Sequence, residues 1–234
     1  MKNAFRLKQF TVYQDLAAMK VGTDGVLLGA WANVNKAQNI LDIGTGSGLI
    51  ALMLAQRNKS ALIDAVEINK DACQQAKYNF EISPWKQRLT AVHTSLQKYK
   101  TNKRYDIIVS NPPFFDENVP AKNQARQTAR HSDSLNLTEL LNNSLRLLSA
   151  QGQIFLILPK NKETELLDIA QQKELYPQQI VDVKGTKTSP VKRILVALSK
   201  QELTCKHSEL IIEISRHHYT AEYIRLTKEY YLKM

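Results

Sequence analysis

The chain has 234 residues, enough for one sizeable domain, and its 43% hydrophobic and 23% charged residues are typical of a globular protein. Its 32 Lys and Arg residues outnumber its 22 Asp and Glu residues, and the net charge of +10 favours an anionic partner such as nucleic acid. No apolar run is long enough to cross a bilayer, and residues 1–20 lack the apolar region of a secretory signal.

Apolar stretches of strand length alternate with amphipathic stretches of helix length in the sequence that follows. The pattern predicts strands at 39–44, 61–68, 89–96, 105–110 and 153–159, and helices at 49–57, 69–82, 137–152 and 161–172. We expect the third of these helices to end at Gly152, because glycine tolerates the left-handed conformation that terminates helices. Such alternation predicts a parallel sheet with helices on both faces.

Two later apolar stretches, 193–199 and 208–215, are predicted strands with no helix between them, and we expect them to pair antiparallel. The chain contains no internal repeat and no low-complexity linker. These features predict a single α/β domain over residues 1–234.

Three glycines, Gly44, Gly46 and Gly48, lie between the first predicted strand and the first predicted helix. Glycine at such a turn permits a tight bend and the close approach of a ligand to the backbone. The dinucleotide-binding pattern G-x-G-x-x-G is not matched, because Leu49 occupies its last position. The spacing is instead similar to that of Rossmann-like methyltransferases, and it predicts S-adenosylmethionine as the cofactor.

Polar residues around this loop complete a predicted nucleoside-binding site. Glu67 ends the second strand, where a carboxylate can accept both ribose hydroxyls. Asp42 can orient the loop or bind the ammonium group of methionine, and Thr45 lies within the loop. Ser95 follows the third strand, where many methyltransferases carry an acid for the adenine amine. In the alternative interpretation the glycines fit a simple turn and Glu67 is a solvated strand end.

The sequence NPPF follows the strand predicted at 105–110. Its two prolines fix two φ angles and remove two backbone donors, so the segment is stiff. It matches the Asp/Asn/Ser-Pro-Pro-aromatic motif of amino-methyltransferases, which act on planar amines of bases or of glutamine. The candidate catalytic residues are Asn111, Pro112, Pro113 and Phe114. A rigid turn that merely ends the strand is the alternative.

These residue types suit methyl transfer to an aromatic amine, whose lone pair is delocalised into the ring. The Asn111 side-chain oxygen and the Pro112 carbonyl can accept the two N–H hydrogens and so favour a pyramidal, nucleophilic nitrogen. Phe114 can stack on the base, a contact worth ~1–3 kcal/mol in comparable sites. A base within a duplex would have to be flipped out, or be unpaired already, to enter this site.

Four stretches in this order resemble the bacterial family of tRNA1(Val) (adenine 37, N6)-methyltransferases. They are FTVYQDLAAMKVGTDGVLLGAWANV, LDIGTGSG, VSNPPFF and ARHSDSLNLTELL. The resemblance extends over nearly the whole chain. It implies a Rossmann-like class I methyltransferase with a seven-stranded, mostly parallel sheet and an antiparallel C-terminal strand. It also implies methyl transfer from S-adenosylmethionine to N6 of an unpaired adenine in tRNA.

By the same resemblance, residues 1–37 are expected to cover the cofactor and substrate site, and residues 38–234 to form the Rossmann-like core. Thr23 and Asp24 are similar to the cofactor-covering segment of the family. Their alternative role is to start a helix.

Basic residues offer a route for RNA, because phosphate contacts position a nucleic acid without specifying its sequence. The candidate RNA-binding residues are Lys103, Lys122, Arg126, Arg130 and Arg193. Arg126 and Arg130 follow the NPPF motif at helical spacing. Each of the five can instead be a solvated surface charge.

Other substrates and roles stay open at this stage. Protein glutamine and the N2 amine of rRNA guanine would use a similar Pro-Pro motif, and a non-catalytic RNA-binding protein could retain the same fold. The two cysteines, Cys73 and Cys205, have no CxxC spacing, so the sequence predicts no metal site and favours the cytoplasm. It does not predict an oligomeric state.

Overall fold

The computed structural model describes residues 3–17, 19–113 and 135–234. A small antiparallel pair of strands, β1 (Ala4–Arg6) and β2 (Thr11–Tyr13), precedes helix α1 (Thr23–Trp31). The core then alternates as predicted. Its first elements are β3 (Asn39–Ile43), α2 (Leu49–Arg57), β4 (Leu62–Glu67), α3 (Lys70–Glu81), β5 (Leu89–His93) and β6 (Tyr105–Ser110).

The second part of the core begins with helix α4 (Leu137–Leu147), which leads directly into the long strand β7 (Leu148–Pro159). The remaining elements are α5 (Glu163–Gln172), β8 (Tyr176–Lys184), β9 (Val191–Ser199), β10 (Lys206–Ile211), β11 (Glu213–Ser215), β12 (His218–Tyr219) and α6 (Ala221–Thr227). No helix within the described ranges is long and apolar enough to span a membrane.

Eight strands form the central sheet, in the order β10-β8-β9-β7-β6-β3-β4-β5. All neighbouring strands run parallel except at β9, which is antiparallel to both β7 and β8. One buried cluster packs α1, α2, α3 and α6 against one face, and a second packs α4 and α5 against the other. The predicted α/β architecture with helices on both faces is therefore confirmed, with one more strand than the seven expected.

The predicted pairing of the last two strands is wrong. β9 bonds to β7 on one side and to β8 on the other, so neither of its edges is free for β10. β10 instead pairs in parallel with β8. The sequence pattern missed β8, because Pro177 and two glutamines interrupt its apolar residues.

The predicted end of the third core helix is also wrong. α4 ends at Leu147, and Gly152 lies inside β7. A Cβ atom at Gly152 would lie 2.8 Å from the carbonyl oxygen of Tyr105 and 2.7 Å from the Leu148 side chain. Glycine is needed there because two strands approach closely, and not to terminate a helix.

Candidate active site

The predicted site residues follow strands that end at one edge of the sheet. Ile43 at the end of β3 lies opposite Val66 of β4 and Ser110 of β6. The glycine loop, Glu67 and Asn111 therefore lie side by side. This carboxyl edge is where open parallel sheets bind their ligands.

The three glycines of the loop have two different roles. Gly44, Gly46 and Gly48 have φ angles of 69°, 57° and 86°, in the left-handed region that favours glycine. A Cβ at Gly44 or Gly46 would meet nothing within 4 Å, so both expose bare backbone to open space. A Cβ at Gly48 would lie 2.6 Å from the ring of Phe80, so this glycine permits α2 and α3 to pack closely.

Glu67 holds the loop in place as well as facing the cavity. One carboxylate oxygen accepts the N–H of Gly46 at 2.8 Å, and the other accepts the N–H of Asn69 at 2.9 Å. The side chain is nearly buried, at 8% exposure. Each carboxylate oxygen has a further lone pair, so Glu67 can still accept hydroxyl groups of a ligand.

Asp42 lies behind the loop and is fully buried. Its Oδ2 atom accepts hydrogen bonds from the Thr45 hydroxyl at 2.6 Å and from the N–H of Ala51 at 3.2 Å. Its Oδ1 atom has no hydrogen-bond partner among the described residues. Burial raises the pKa of Asp42 from 3.8 to about 7, and the nearby charge of Glu67 adds to this shift. Through these two bonds Asp42 holds the loop against the first turn of α2.

Two adjoining cavities meet at the loop. The first, of about 220 Å³, is lined by residues that include Glu67, Ser95, Leu96, Asn111, Pro112 and Pro113. The second, of about 320 Å³, is lined by residues that include Thr23, Asp24 and Thr45. Gly44, Gly46, Met19 and Asn111 line both. Asn111 thus lies at the junction of the two cavities.

Two buried amides of α3 attach the N-terminal segment to the site. Asn79 Oδ1 accepts the N–H of Tyr13 at 3.0 Å, and its Nδ2 donates to the carbonyls of Tyr13 and Ser47, each at 2.8 Å. Gln75 accepts the N–H of Leu16 at 3.1 Å. Neither amide was predicted from the sequence, although polar residues on the buried face of an amphipathic helix are a usable signal.

The predicted RNA-binding residues are placed differently from one another. Lys103 precedes β6 at the opposite edge of the sheet, where its ammonium group pairs with Asp64 at 2.7 Å. Arg193 lies at the site edge, and its Nε donates to Asp24 at 2.8 Å. Phe114, Lys122, Arg126 and Arg130 lie outside the described residues. The structure therefore brings together the predicted cofactor residues and Asn111 to Pro113, with Arg193 beside them.

The chain is similar to known proteins over most of its length. The family model "Methyltransferase small domain" matches residues 20–175. The tRNA1(Val) (adenine(37)-N6)-methyltransferase of Christiangramia forsetii is 47% identical over 98% of this chain and 98% of its own. The enzyme of the same name from Flavobacterium psychrophilum is 49% identical over 98% of this chain and 100% of its own.

A crystal structure of a predicted O-methyltransferase from Agrobacterium tumefaciens superposes with a TM-score of 0.71 at 16% identity. The match covers 88% of this chain and 96% of that one. It confirms the class I methyltransferase fold. The sequence matches show that the chain belongs to the tRNA1(Val) (adenine(37)-N6)-methyltransferase family.

Proposed function

We propose that the protein transfers a methyl group from S-adenosylmethionine to the N6 amine of an unpaired adenine in tRNA, adenine 37 of tRNA1(Val). The names of its relatives support this substrate. The observation that carries the proposal is the position of Asn111 at the junction of two cavities. The glycine loop borders both cavities, and Glu67 borders the first. The same substrate favours a cytoplasmic location.

The residues present fit S-adenosylmethionine. The bare backbone at Gly44 and Gly46 leaves room for a ligand, and Glu67 can accept the ribose hydroxyls. Asp42 lines neither cavity, so it would orient the loop through its bonds to Thr45 and Ala51. Ser95 lines the first cavity and would accept or donate to the adenine ring. When bound, this cofactor supplies an electrophilic methyl group on a sulfonium.

The N-terminal segment would close the site. Met19 lines both cavities, and Thr23 and Asp24 at the start of α1 line the second. The hydrogen bonds of Asn79 and Gln75 hold this segment beside the loop. These contacts support the role expected for residues 1–37, to cover the cofactor and substrate.

The Asn-Pro-Pro segment would position the reacting amine. The side-chain oxygen of Asn111 and the carbonyl of Pro112 would accept its two hydrogens and free the nitrogen lone pair. Ser110, just before, is fixed by a 2.9 Å hydrogen bond to the carbonyl of Ile43, so the segment starts from a rigid point. Positioning of this kind supplies much of the rate when no strong base is needed before attack. Phe114 would stack on the base.

An Asn111→Ala substitution tests the proposal. On unmodified tRNA1(Val) transcript we expect kcat/KM to fall ~100-fold or more, as when a single transition-state hydrogen bond is removed. Affinity for S-adenosylmethionine, measured by calorimetry, should remain within about threefold. Asn102→Ala, on the exposed surface at the opposite edge, is the matched control.

Nucleoside mass spectrometry of the product distinguishes the alternatives. N6-methyladenosine that disappears in the Asn111→Ala protein supports the proposal. N2-methylguanosine would keep the role of Asn111 but contradict the base. Methylated glutamine in added protein, with no methylated nucleoside, would overturn the RNA substrate.

A further inference from the structure

One half of the sheet extends beyond the edge where the candidate site lies. β6 ends at Ser110, opposite Leu156, whereas β7 continues to Pro159. Three further residues at ~3.3 Å each carry this half about 10 Å past the end of β6. β8 and β10 run parallel to β7, so their carboxyl ends and the start of β9 lie at the same edge.

Two chain segments cover that extended edge and are joined to each other. The first is the connection from β8 to β9, and the second is the β11–β12 hairpin. The N–H of Ile212 donates to the carbonyl of Lys184 at 2.9 Å, and the N–H of Glu213 donates to that of Gly185 at 2.8 Å. The segments 184–193 and 213–219 therefore form one continuous surface, which we call the basic edge.

The basic edge contains five Lys and Arg residues and one acidic residue, Glu213. Its cations are Lys184, Lys187, Lys192, Arg193 and Arg216. Lys184 is paired with Glu209 and Arg193 with Asp24.

The other three cations, Lys187, Lys192 and Arg216, are exposed and form no ion pair with any described residue. The hairpin forms a separate two-stranded sheet and turns at His217, whose φ angle is 65°. This turn holds Arg216, His217 and His218 on the exposed surface. The free charge of the basic edge is therefore positive and open to an anionic partner.

The basic edge is continuous with the candidate site. Arg193 bonds to Asp24, which lines the same cavity as Asn111. From β6 to β10 the sheet spans four strand spacings of ~4.8 Å, or about 19 Å. That distance equals roughly six stacked nucleotides at ~3.4 Å each. A strand of RNA with one base in the site can therefore reach the hairpin.

We propose that the basic edge binds the phosphate backbone of the RNA that flanks the target base, an inference that rests on the proposed function. The phosphates would contact Lys187, Lys192 and Arg216, and Arg193 would fix the near end of the surface through Asp24. Contacts of this kind orient the RNA and leave base recognition to the site.

Charge reversal at the basic edge, compared with charge reversal at the opposite edge of the sheet, tests whether the basic edge binds RNA. The test variant is Lys187→Glu with Arg216→Glu. The matched control is Lys200→Glu with Lys206→Glu, which changes the net charge equally at the opposite edge, after β9 and at the start of β10. The probe is an unmodified tRNA1(Val) transcript, and its Kd is measured by fluorescence anisotropy at several salt concentrations. Thermal unfolding confirms that both variants fold.

We expect the test variant to bind the transcript at least ~10-fold more weakly. The slope of log Kd against log salt should fall by about 1.4–1.8, as for the loss of two phosphate contacts. The control should change Kd less than about threefold, and neither variant should change affinity for S-adenosylmethionine. Equal losses in both variants, or no loss in the test variant, would overturn the basic edge. Edge-specific loss of binding in a protein that methylates nothing would support the basic edge and overturn the proposed function.

Discussion

Two buried aspartates on adjacent strands, Asp42 of β3 and Asp64 of β4, have opposite surroundings. Asp64 accepts the hydroxyl of Tyr105 and the ammonium group of Lys103, each at 2.7 Å, and the Tyr105 hydroxyl is in turn bonded to that of Tyr99 at 2.8 Å. Asp42 forms no ion pair with a described residue. The same residue type thus has a cation beside it in one place and none in the other.

This difference separates a carboxylate whose charge is compensated from one whose charge is not. A buried carboxylate that contacts a cation can stay ionised and hold neighbouring strands together. A buried carboxylate without a cation beside it costs free energy when it is ionised, so burial favours its protonated form. We therefore infer that substitutions around Asp64 change stability, whereas Asp42 links stability to protonation.

The largest expected effect is the pH dependence that Asp42 imposes. Burial raises the pKa of its carboxyl from 3.8 to about 7. Between these values the native protein holds a proton that the unfolded chain has released, so the free energy of unfolding falls as pH rises from about 4 to 7. The fall attributable to this group is on the order of 4 kcal/mol.

Asp42→Asn should abolish that fall, because asparagine does not titrate. Its buried amide hydrogens add a constant penalty of about 1–3 kcal/mol, which does not change the slope. Urea unfolding of both proteins from pH 4 to 8 gives the comparison. If the two free energies of unfolding differ by the same amount at every pH, the pH dependence does not arise from Asp42.

Asn79 lies beside the site, as Asp42 does, but all its polar side-chain atoms are hydrogen-bonded. It makes three hydrogen bonds, so it tests the effect of a residue that is near the site and has its partners within the protein. We expect Asn79→Leu to lower the free energy of unfolding by about 3 kcal/mol, since it leaves partly buried backbone groups of Tyr13 and the buried carbonyl of Ser47 unpaired. The loop and the N-terminal segment would loosen together, so affinity for S-adenosylmethionine should also fall.

Urea unfolding and calorimetric titration of the cofactor measure these two effects. Asn143→Leu on α4, which removes a partly buried hydrogen bond to the Glu139 carbonyl and an exposed one from Arg146, is the control. Loss of stability with unchanged cofactor affinity would show that Asn79 does not position the loop.

The sequence predicted which candidate site residues lie together better than it predicted the order of the strands at the edge of the sheet. Gly44, Gly46, Glu67 and Asn111 could be proposed because each ends or follows an apolar strand, and because glycines and prolines restrict the backbone in recognisable ways. β8 could not, since Pro177 and its glutamines hide the alternation, and its place in the sheet depends on which edges are free.

Pairs that are distant in sequence were also beyond a single-sequence analysis. Nothing near Lys103 marks it as the partner of Asp64, and nothing near Arg193 identifies Asp24. Local composition gives the charge of a lysine and not the group that faces it. The prediction that Lys103 contacts RNA stays a prediction, although its ion pair favours a structural role.

The smallest expected effect tests that residue. Lys103→Met removes the cation from Asp64, whose carboxylate keeps the hydroxyl of Tyr105. Because the lysine side chain is 44% exposed, we expect a loss of only about 1 kcal/mol in the free energy of unfolding. Lys100→Met, at a neighbouring exposed lysine with no described ion pair, should leave stability unchanged. Transcript binding should be equal in the two variants if Lys103 serves Asp64, and weaker in Lys103→Met alone if the lysine also contacts RNA.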